Sequence, residues 1–335
     1  MKYYIALIIL LSFIIIAGCT ENEGPDTDSA VAQETDVEEE KSDDKHVDTK
    51  DGKQQTENQP DNKAKNGSEG LFWKTINGKN TVYMLGSFHA GTEEMYPMNS
   101  DIEEAFLRSD YLVLEYDLIS DELETAFSKF TELQYLEEGE MLEEHISEKL
   151  YKEIQVVLPQ VELTDKDIQN MKPWSVHLLL EQLWGQVKYD YNVGVEEYFI
   201  DKMSGSMVLK GLEAEFPPFV YDQLPEEEQE ELLRWTVHVI KEGNEAIYDE
   251  AISYWMDGDS QAFANWVKDT YFSNDNLPEF QRLLLTERNE EMAESIIGFL
   301  EGDEESTYFV IAGAAHFFGP ENIIELLQDK GFEVE

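Results

Sequence analysis

The sequence predicts an α/β fold: two βαβ-type halves forming a central sheet, with a large helical block inserted between them. Three observations predict it. Thr81–Ala90 (TVYMLGSFHA) and Tyr308–Phe317 (YFVIAGAAHF) are apolar runs of strand length, each broken by Gly-x-x-His. Tyr111–Tyr116 (YLVLEY) is a short, continuous apolar run of the kind found in parallel strands covered on both faces. Between Tyr116 and Tyr308, apolar residues recur at helical spacing almost throughout.

The chain of 335 residues opens with Lys2, an apolar run and Ile16-Ala17-Gly18-Cys19. This is the layout of a secretory signal, and the final four residues resemble a bacterial lipobox. Residues 1–18 are therefore expected to be a signal peptide, with Cys19 the lipidated first residue; an ordinary signal or an N-terminal anchor helix is the alternative. Cys19 is the only cysteine, which leaves no disulfide framework. Residues 19–69 continue as an acidic, aromatic-free tether that cannot bury enough apolar surface to order itself. Residues 70–335 hold all six tryptophans and are long enough for one large domain. The formal net charge of −49 excludes nucleic acid as a partner and favours basic or neutral ones. The expected location is extracytoplasmic, on the membrane through the N-terminal lipid.

In the domain, Asn77-Gly78 between two apolar runs signals a hairpin whose second strand carries Gly86-Ser87-Phe88-His89. A helix over Met98–Arg108 follows, capped at Asn99 or Ser100, with Ile102, Ala105 and Phe106 on one face. Tyr111–Tyr116 closes the first βαβ unit, whose crossover should be right-handed. The helical block spans about residues 120–288. Its periodic positions are Leu142, Ile146, Leu150, Ile154 and Val157, then Leu179, Leu183 and Val187 after Pro173-Trp174. Leu232, Leu233, Val237 and Ile240 follow Pro225, and Phe263, Trp266 and Val267 mark a further helix. Met207–Leu212 interrupts the block as one more short strand. A helix over Glu279–Leu300 leads to the second Gly-x-x-His strand. A helix over Pro320–Lys330 and a last strand over Gly331–Val334 would complete the second βαβ unit.

Ligands in open α/β sheets collect outside the carboxyl ends of the strands. His89, His316 and Glu115 all fall there. Two imidazoles and a carboxylate make a common first shell for a hydrolytic or redox metal, and such a metal lowers the pKa of bound water and polarises a carbonyl. Gly86 and Gly313 would let the backbone turn and a ligand approach. For each histidine taken singly, a structural role is the alternative. His46 lies in the tether, His145 reads as solvated, and His177 with Glu181 as a helix-surface pair. His238 reads as a satisfied core residue, and Arg288 as an i, i+4 ion pair or an oxyanion donor. HExxH, Gly-x-Ser-x-Gly, Walker and GxGxxG motifs are absent from the sequence.

Taken in order, LFWK at Leu71, GSFH at Gly86, LVLE at Leu112, KPW at Lys172 and GVE at Gly194 form a recognisable series. It continues with GLE at Gly211, Arg288-Asn289 with Met292, and GAAH at Gly313. The set resembles the TraB/PrgY/GumN family, related to the Tiki metalloproteases, across nearly all of residues 70–335. Ser87 stands where the family often has Thr, Glu196 where Asp is common, and a Gln expected soon after Glu213 is not evident. The resemblance implies an erythromycin-esterase-like or ChaN-like arrangement. It also implies a metal-dependent hydrolase, most simply a peptidase, using a divalent ion such as Zn, Mn or Co. His89, His316 and Glu115 carry over as metal-site residues, Glu115 and Arg288 as catalytic, and Glu213, Glu196 and Asn289 as substrate-side or supporting. The implied partner is a peptide or protein. Two other classes stay open: a binding protein that sequesters a peptide signal without cleaving it, and a small-molecule esterase.

Overall fold

The computed structural model describes residues 67–117, 123–214, 217–243 and 246–335. The predicted signal peptide, Cys19, His46 and almost all of the tether lie outside the described residues. Among the described residues no helix is long and apolar enough to cross a membrane.

The sheet has five strands, β1 Leu71–Asn77, β2 Asn80–Ser87, β3 Tyr111–Leu114, β4 Val208–Gly211 and β5 Thr307–Gly313, in the order β1-β2-β5-β3-β4. β1 and β2 form the expected antiparallel hairpin, closed where Asn77 faces Asn80 across Gly78 at φ +60°. The other three strands run parallel to β2. Every strand but the hairpin's first therefore sends its carboxyl end to one edge.

Both faces of this sheet are covered, which explains why its strands read as continuously apolar. On β5, Phe309 and Ile311 pack into one layer with Phe106, Phe199, Trp255 and Phe263. The alternate residues Tyr308, Val310 and Ala312 pack into the other with Met292, Ile296, Leu300 and Leu327. Helix α1, Ser100–Arg108, belongs to the first layer. It starts where the Asn99 side chain accepts from the backbone N–H of Asp101 and Ile102, and it buries Ile102, Ala105 and Phe106 as their spacing predicts.

The two-halves arrangement needs correction. β5 does not open a separate half. It lies between β2 and β3 and bonds to both, filling the gap that the β2–α1–β3 crossover leaves. The predicted final strand is only an antiparallel bridge of Val334 to Thr75, beside reciprocal backbone bonds between Lys74 and Glu335. The helix before it is shorter than predicted, Ile323–Asp329, because Asn322 caps it. The result is a mixed α/β protein with one five-stranded sheet.

The helical block contains α2 Leu123–Leu133, α3 Glu148–Val157, α4 Pro173–Gly185, α5 Val195–Lys202, α6 Glu226–Glu242, α7 Ala246–Asp257 and α8 Ser260–Tyr271. Ser147 caps α3 and so breaks the helix predicted from Leu142 onward, although Leu142, Ile146, Leu150, Ile154 and Val157 are all buried. Val187 departs from its pattern: α4 ends at Gly185 and Val187 is exposed. The long helix expected over Glu279–Leu300 is three pieces. A turn of α-helix (Pro278–Gln281) runs into a π-helical turn (Arg282–Thr286) and then into α9, Glu287–Leu300. Ile323–Asp329 is α10.

Candidate functional site

Four strand ends deliver four of the predicted residues to the same edge of the sheet. His89 follows β2, Glu115 follows β3, Glu213 follows β4, and His316 lies in a 3-10 turn, Ala314–Phe317, directly after β5. α9 supplies Arg288 and Asn289 from its first turn, and α5 supplies Glu196.

Arg288 binds two carboxylates at once. Its Nε and Nη2 donate to the two oxygens of Glu213, each at 2.7 Å, and Nη2 also donates to Glu115 Oε2 at 2.7 Å. Among the described residues its Nη1 makes no hydrogen bond. The side chains are nearly dry, 13 % exposed for Arg288, 15 % for Glu115 and 4 % for Glu213. Burial pushes the Glu115 carboxyl up, but the Arg288 charge, with His89 and the Gly313 N–H, holds it well below the usual carboxylate range. For Glu213 burial outweighs Arg288, and its pKa is raised. The site therefore holds Glu115 more firmly ionised than Glu213, although Arg288 donates to both.

His316 is fixed by Asn289. The Asn289 amide nitrogen donates to the Glu321 carbonyl at 3.0 Å, which turns its oxygen towards His316 Nδ1 at 2.7 Å. A carbonyl oxygen only accepts, so His316 carries its proton on Nδ1. Burial, followed by the Arg288 charge, lowers the imidazole pKa to about 3 and keeps the ring neutral. Nε2 is then a bare lone pair, with Glu115 Oε1 3.8 Å away. Two acceptors face each other with no proton between them.

Gly313 permits that approach. A Cβ there would stand 3.2 Å from Glu115 Oε1, and the Gly313 N–H donates to the same oxygen at 2.7 Å. Its role is close contact, not the sharp turn expected from the sequence. Gly194 serves the other histidine: a Cβ there would fall 2.3 Å from the His89 carbonyl oxygen.

His89 stands at the open side of the site. Its Nδ1 lies 3.0 Å from Glu196 Oε1, which also accepts from the Ser87 hydroxyl at 2.5 Å. The Glu196 charge raises the His89 pKa against the effect of burial. The ring is 65 % exposed, so water screens the pair and weakens that pull. In the sequence Ser87 stands out only as part of a motif. Its hydroxyl is placed by the alternation along β2, which the sequence does show.

The fit of these residues to a metal ion is uneven. Among the described residues no group of three or more His, Cys, Asp and Glu side chains stands together as a ready metal shell. The pair His316 Nε2 and Glu115 Oε1 fits as two donors. Two ligands of a tetrahedral ion, each about 2.1 Å from it, lie roughly 3.4 Å apart, close to the observed 3.8 Å. His89 is brought to the same edge but is engaged with Glu196 instead of joining the pair.

The remaining histidines differ from expectation. His145 is not simply solvated: it is half-buried, 3.3 Å from Glu140 and 3.8 Å from Glu226. His177 is buried, not on a helix surface, with Nδ1 2.7 Å from the Thr236 hydroxyl. His238, expected in the core, is exposed because it falls on the outer face of α6.

The TraB/PrgY/gumN family description matches residues 71–335. A "Metalloprotease TIKI homolog" of Nematostella vectensis is 24 % identical over 313 residues, 76 % of this chain and 64 % of that protein. The "Uncharacterized protein YbaP" of Escherichia coli K12 is 21 % identical over 261 residues, 76 % of this chain and 90 % of that one. "Metalloprotease TIKI2" of Xenopus tropicalis is 38 % identical over 56 residues, 17 % of this chain and only 11 % of the frog protein. No solved structure matches the chain. With a family match that takes in the hairpin, all four strand ends and α9, the chain belongs to the TraB/PrgY/gumN family.

Proposed function

We propose that the chain is a metal-dependent hydrolase of peptides, held on the outer face of a bacterial membrane through Cys19. One observation carries the chemistry: the bare Nε2 of buried His316 faces an ionised Glu115 carboxylate at 3.8 Å, beside Arg288. Such a pair attracts a cation, and relatives named metalloproteases support the reading.

His316 and Glu115 would hold the ion, with His89 Nε2, the nitrogen that Glu196 leaves open, as the third candidate donor. A divalent ion such as Zn, Mn or Co would polarise a peptide carbonyl and acidify water. The chain's own groups do the rest. Asn289 keeps the His316 proton on Nδ1, so that Nε2 stays a donor. Glu196 orients the His89 ring. Arg288 offers Nη1 to the oxyanion that forms on the attacked carbonyl, while Glu115 and Glu213 hold its other nitrogens in place.

The test is cleavage of a peptide library by the full chain loaded in turn with Zn, Mn and Co, read by mass spectrometry, with metal content measured alongside. His316→Ala is expected to lose both tight metal binding and cleavage. Retained cleavage in that variant overturns the assignment. Peptides bound but recovered intact with every metal would make the chain a binding protein.

A further inference from the structure

A second concave site lies in the helical block. It is a cavity of about 540 Å³ between α4, α6, α7, α8 and the turn before α9. Its walls are aromatic, with Tyr221, Trp235, Tyr254, Trp266, Tyr271 and Phe280. Three carboxylates join them: Glu181 in the wall, and Glu250 and Asp269 at the exposed rim. Among the described residues, no Lys or Arg forms a salt bridge with any of the three.

Among the described residues, one oxygen of the cavity-lining Glu181 accepts no hydrogen bond. The neighbouring His177, only 4 % exposed, has Nδ1 2.7 Å from the Thr236 hydroxyl and turns Nε2 towards Glu181. That nitrogen faces Glu181 Oε2 at 3.6 Å, too far for a hydrogen bond, and burial keeps the ring neutral by lowering its pKa. The other oxygen of Glu181 already accepts from the Tyr248 hydroxyl at 2.8 Å. Glu181 Oε2 is therefore left without a hydrogen-bond donor among the described residues, and a ligand that brings N–H groups supplies one.

We propose that this cavity is a specificity subsite for a basic side chain, arginine before lysine, of the peptide that the strand-end site takes. An arginine guanidinium meets each requirement: an N–H donor for Glu181 Oε2, a flat face for the aromatic walls, and charge for the rim carboxylates. The chain's excess of 73 acidic over 24 basic residues draws such peptides in.

Tyr221 lines the cavity, and after burial its hydroxyl feels Glu181 and Tyr271 of the cavity and Arg288 and Glu115 of the strand-end site. Leu277 and Phe280 line the cavity, and the chain passes from them through the π-helical turn to Arg288. A peptide with its basic residue in the cavity would so extend towards Arg288. The peptide nature of the ligand rests on the function proposed above; the preference for a guanidinium does not.

The experiment is binding of acetyl-arginine amide and acetyl-citrulline amide to the full chain in 0.5 M salt, followed by tryptophan fluorescence. Citrulline keeps the shape and removes the charge. Arginine amide is expected to bind at least tenfold more tightly. The preference should vanish in the Glu181→Gln/Asp269→Asn variant and survive in a Glu143→Gln/Glu148→Gln variant, which removes as much charge from exposed helix positions outside the cavity. Equal binding of the two amides, or loss of the preference in the control pair, overturns the proposal. If Glu181→Gln/Asp269→Asn fails to fold, as judged by its melting curve, Asp269→Asn alone decides by the same ratio. If the arginine preference is found but no peptide is cut with any metal, the subsite stands and the hydrolase reading fails. If peptides are cut without regard to arginine, the reverse holds.

Discussion

Replacing Arg288 with Met leaves Glu213 and Glu115 without the guanidinium that joins them. Three hydrogen bonds of 2.7 Å are lost, and the Glu213 side chain, 4 % exposed, gains no route to water. Breaking a buried ion pair from one side costs about 3–5 kcal/mol. Glu213 already has a raised pKa and can relieve part of the strain by taking a proton, so the loss at pH 7.5 should sit near the lower end, about 3 kcal/mol. For a domain of this size that is a fall in Tm of roughly 6–12 °C. The pH dependence gives the sharper test. In the variant the folded pKa of Glu213 rises further above its unfolded value, so the folded state holds the extra proton. Stability then falls as pH rises through that window and is regained towards the unfolded value near 4.3. The difference between wild type and Arg288→Met, measured by urea denaturation, should shrink by at least about 1 kcal/mol between pH 7.5 and pH 5. A variant as stable as wild type at pH 7.5, or one whose deficit grows on acidification, would refute the account of the dry triad.

Three further outcomes are expected from the geometry. Asn289→Leu removes the acceptor that fixes the His316 tautomer; metal affinity in equilibrium dialysis should fall about 10–100-fold, while Asn289→Asp, which keeps an acceptor on Nδ1, should fall less. Gly313→Ala places a methyl group 3.2 Å from Glu115 Oε1 and should cost roughly 1–3 kcal/mol in thermal unfolding, with Gly205→Ala as a comparison where the added Cβ meets nothing. Because His177 is buried neutral with a lowered pKa, the unfolded chain binds its proton first. Wild type should therefore lose stability relative to His177→Leu as pH drops below about 6.5, as read from urea midpoints at pH 7.5 and 5.

The strand ends were legible in the sequence because two physical signals coincide there. A run apolar on both faces means a covered strand, and a polar residue directly after it must lie at the sheet edge; His89, Glu115, Glu213 and His316 all obey this. Sheet order was not legible. Whether β5 starts a new half or drops between β2 and β3 depends on which strands find each other, and Tyr308–Gly313 looks the same in either place. The partners of Arg288 were hidden for a similar reason: on the helix it has acids one and three residues away, yet it reaches Glu115 and Glu213, 173 and 75 residues distant. His177 and His238 exchange their expected places because each sits on a helix with apolar residues on several sides, where periodicity alone does not say which face is inward. The pairings of His316 with Glu115 and of His177 with Glu181 exist only as distances.

The π-helical turn at Arg282–Thr286 gives this stretch an unusual sensitivity to insertion and deletion. Each residue added to or removed from a helix rotates all later positions by about 100°. Dropping one residue here would restore an unbroken α-helix from Pro278, a change that favours local regularity. It would also swing Arg288 and Asn289 away from Glu115, Glu213 and His316. The irregular turn thus sets the phase of α9 against the sheet edge, and length changes in this segment should be as damaging to the lineage as substitutions at the site itself.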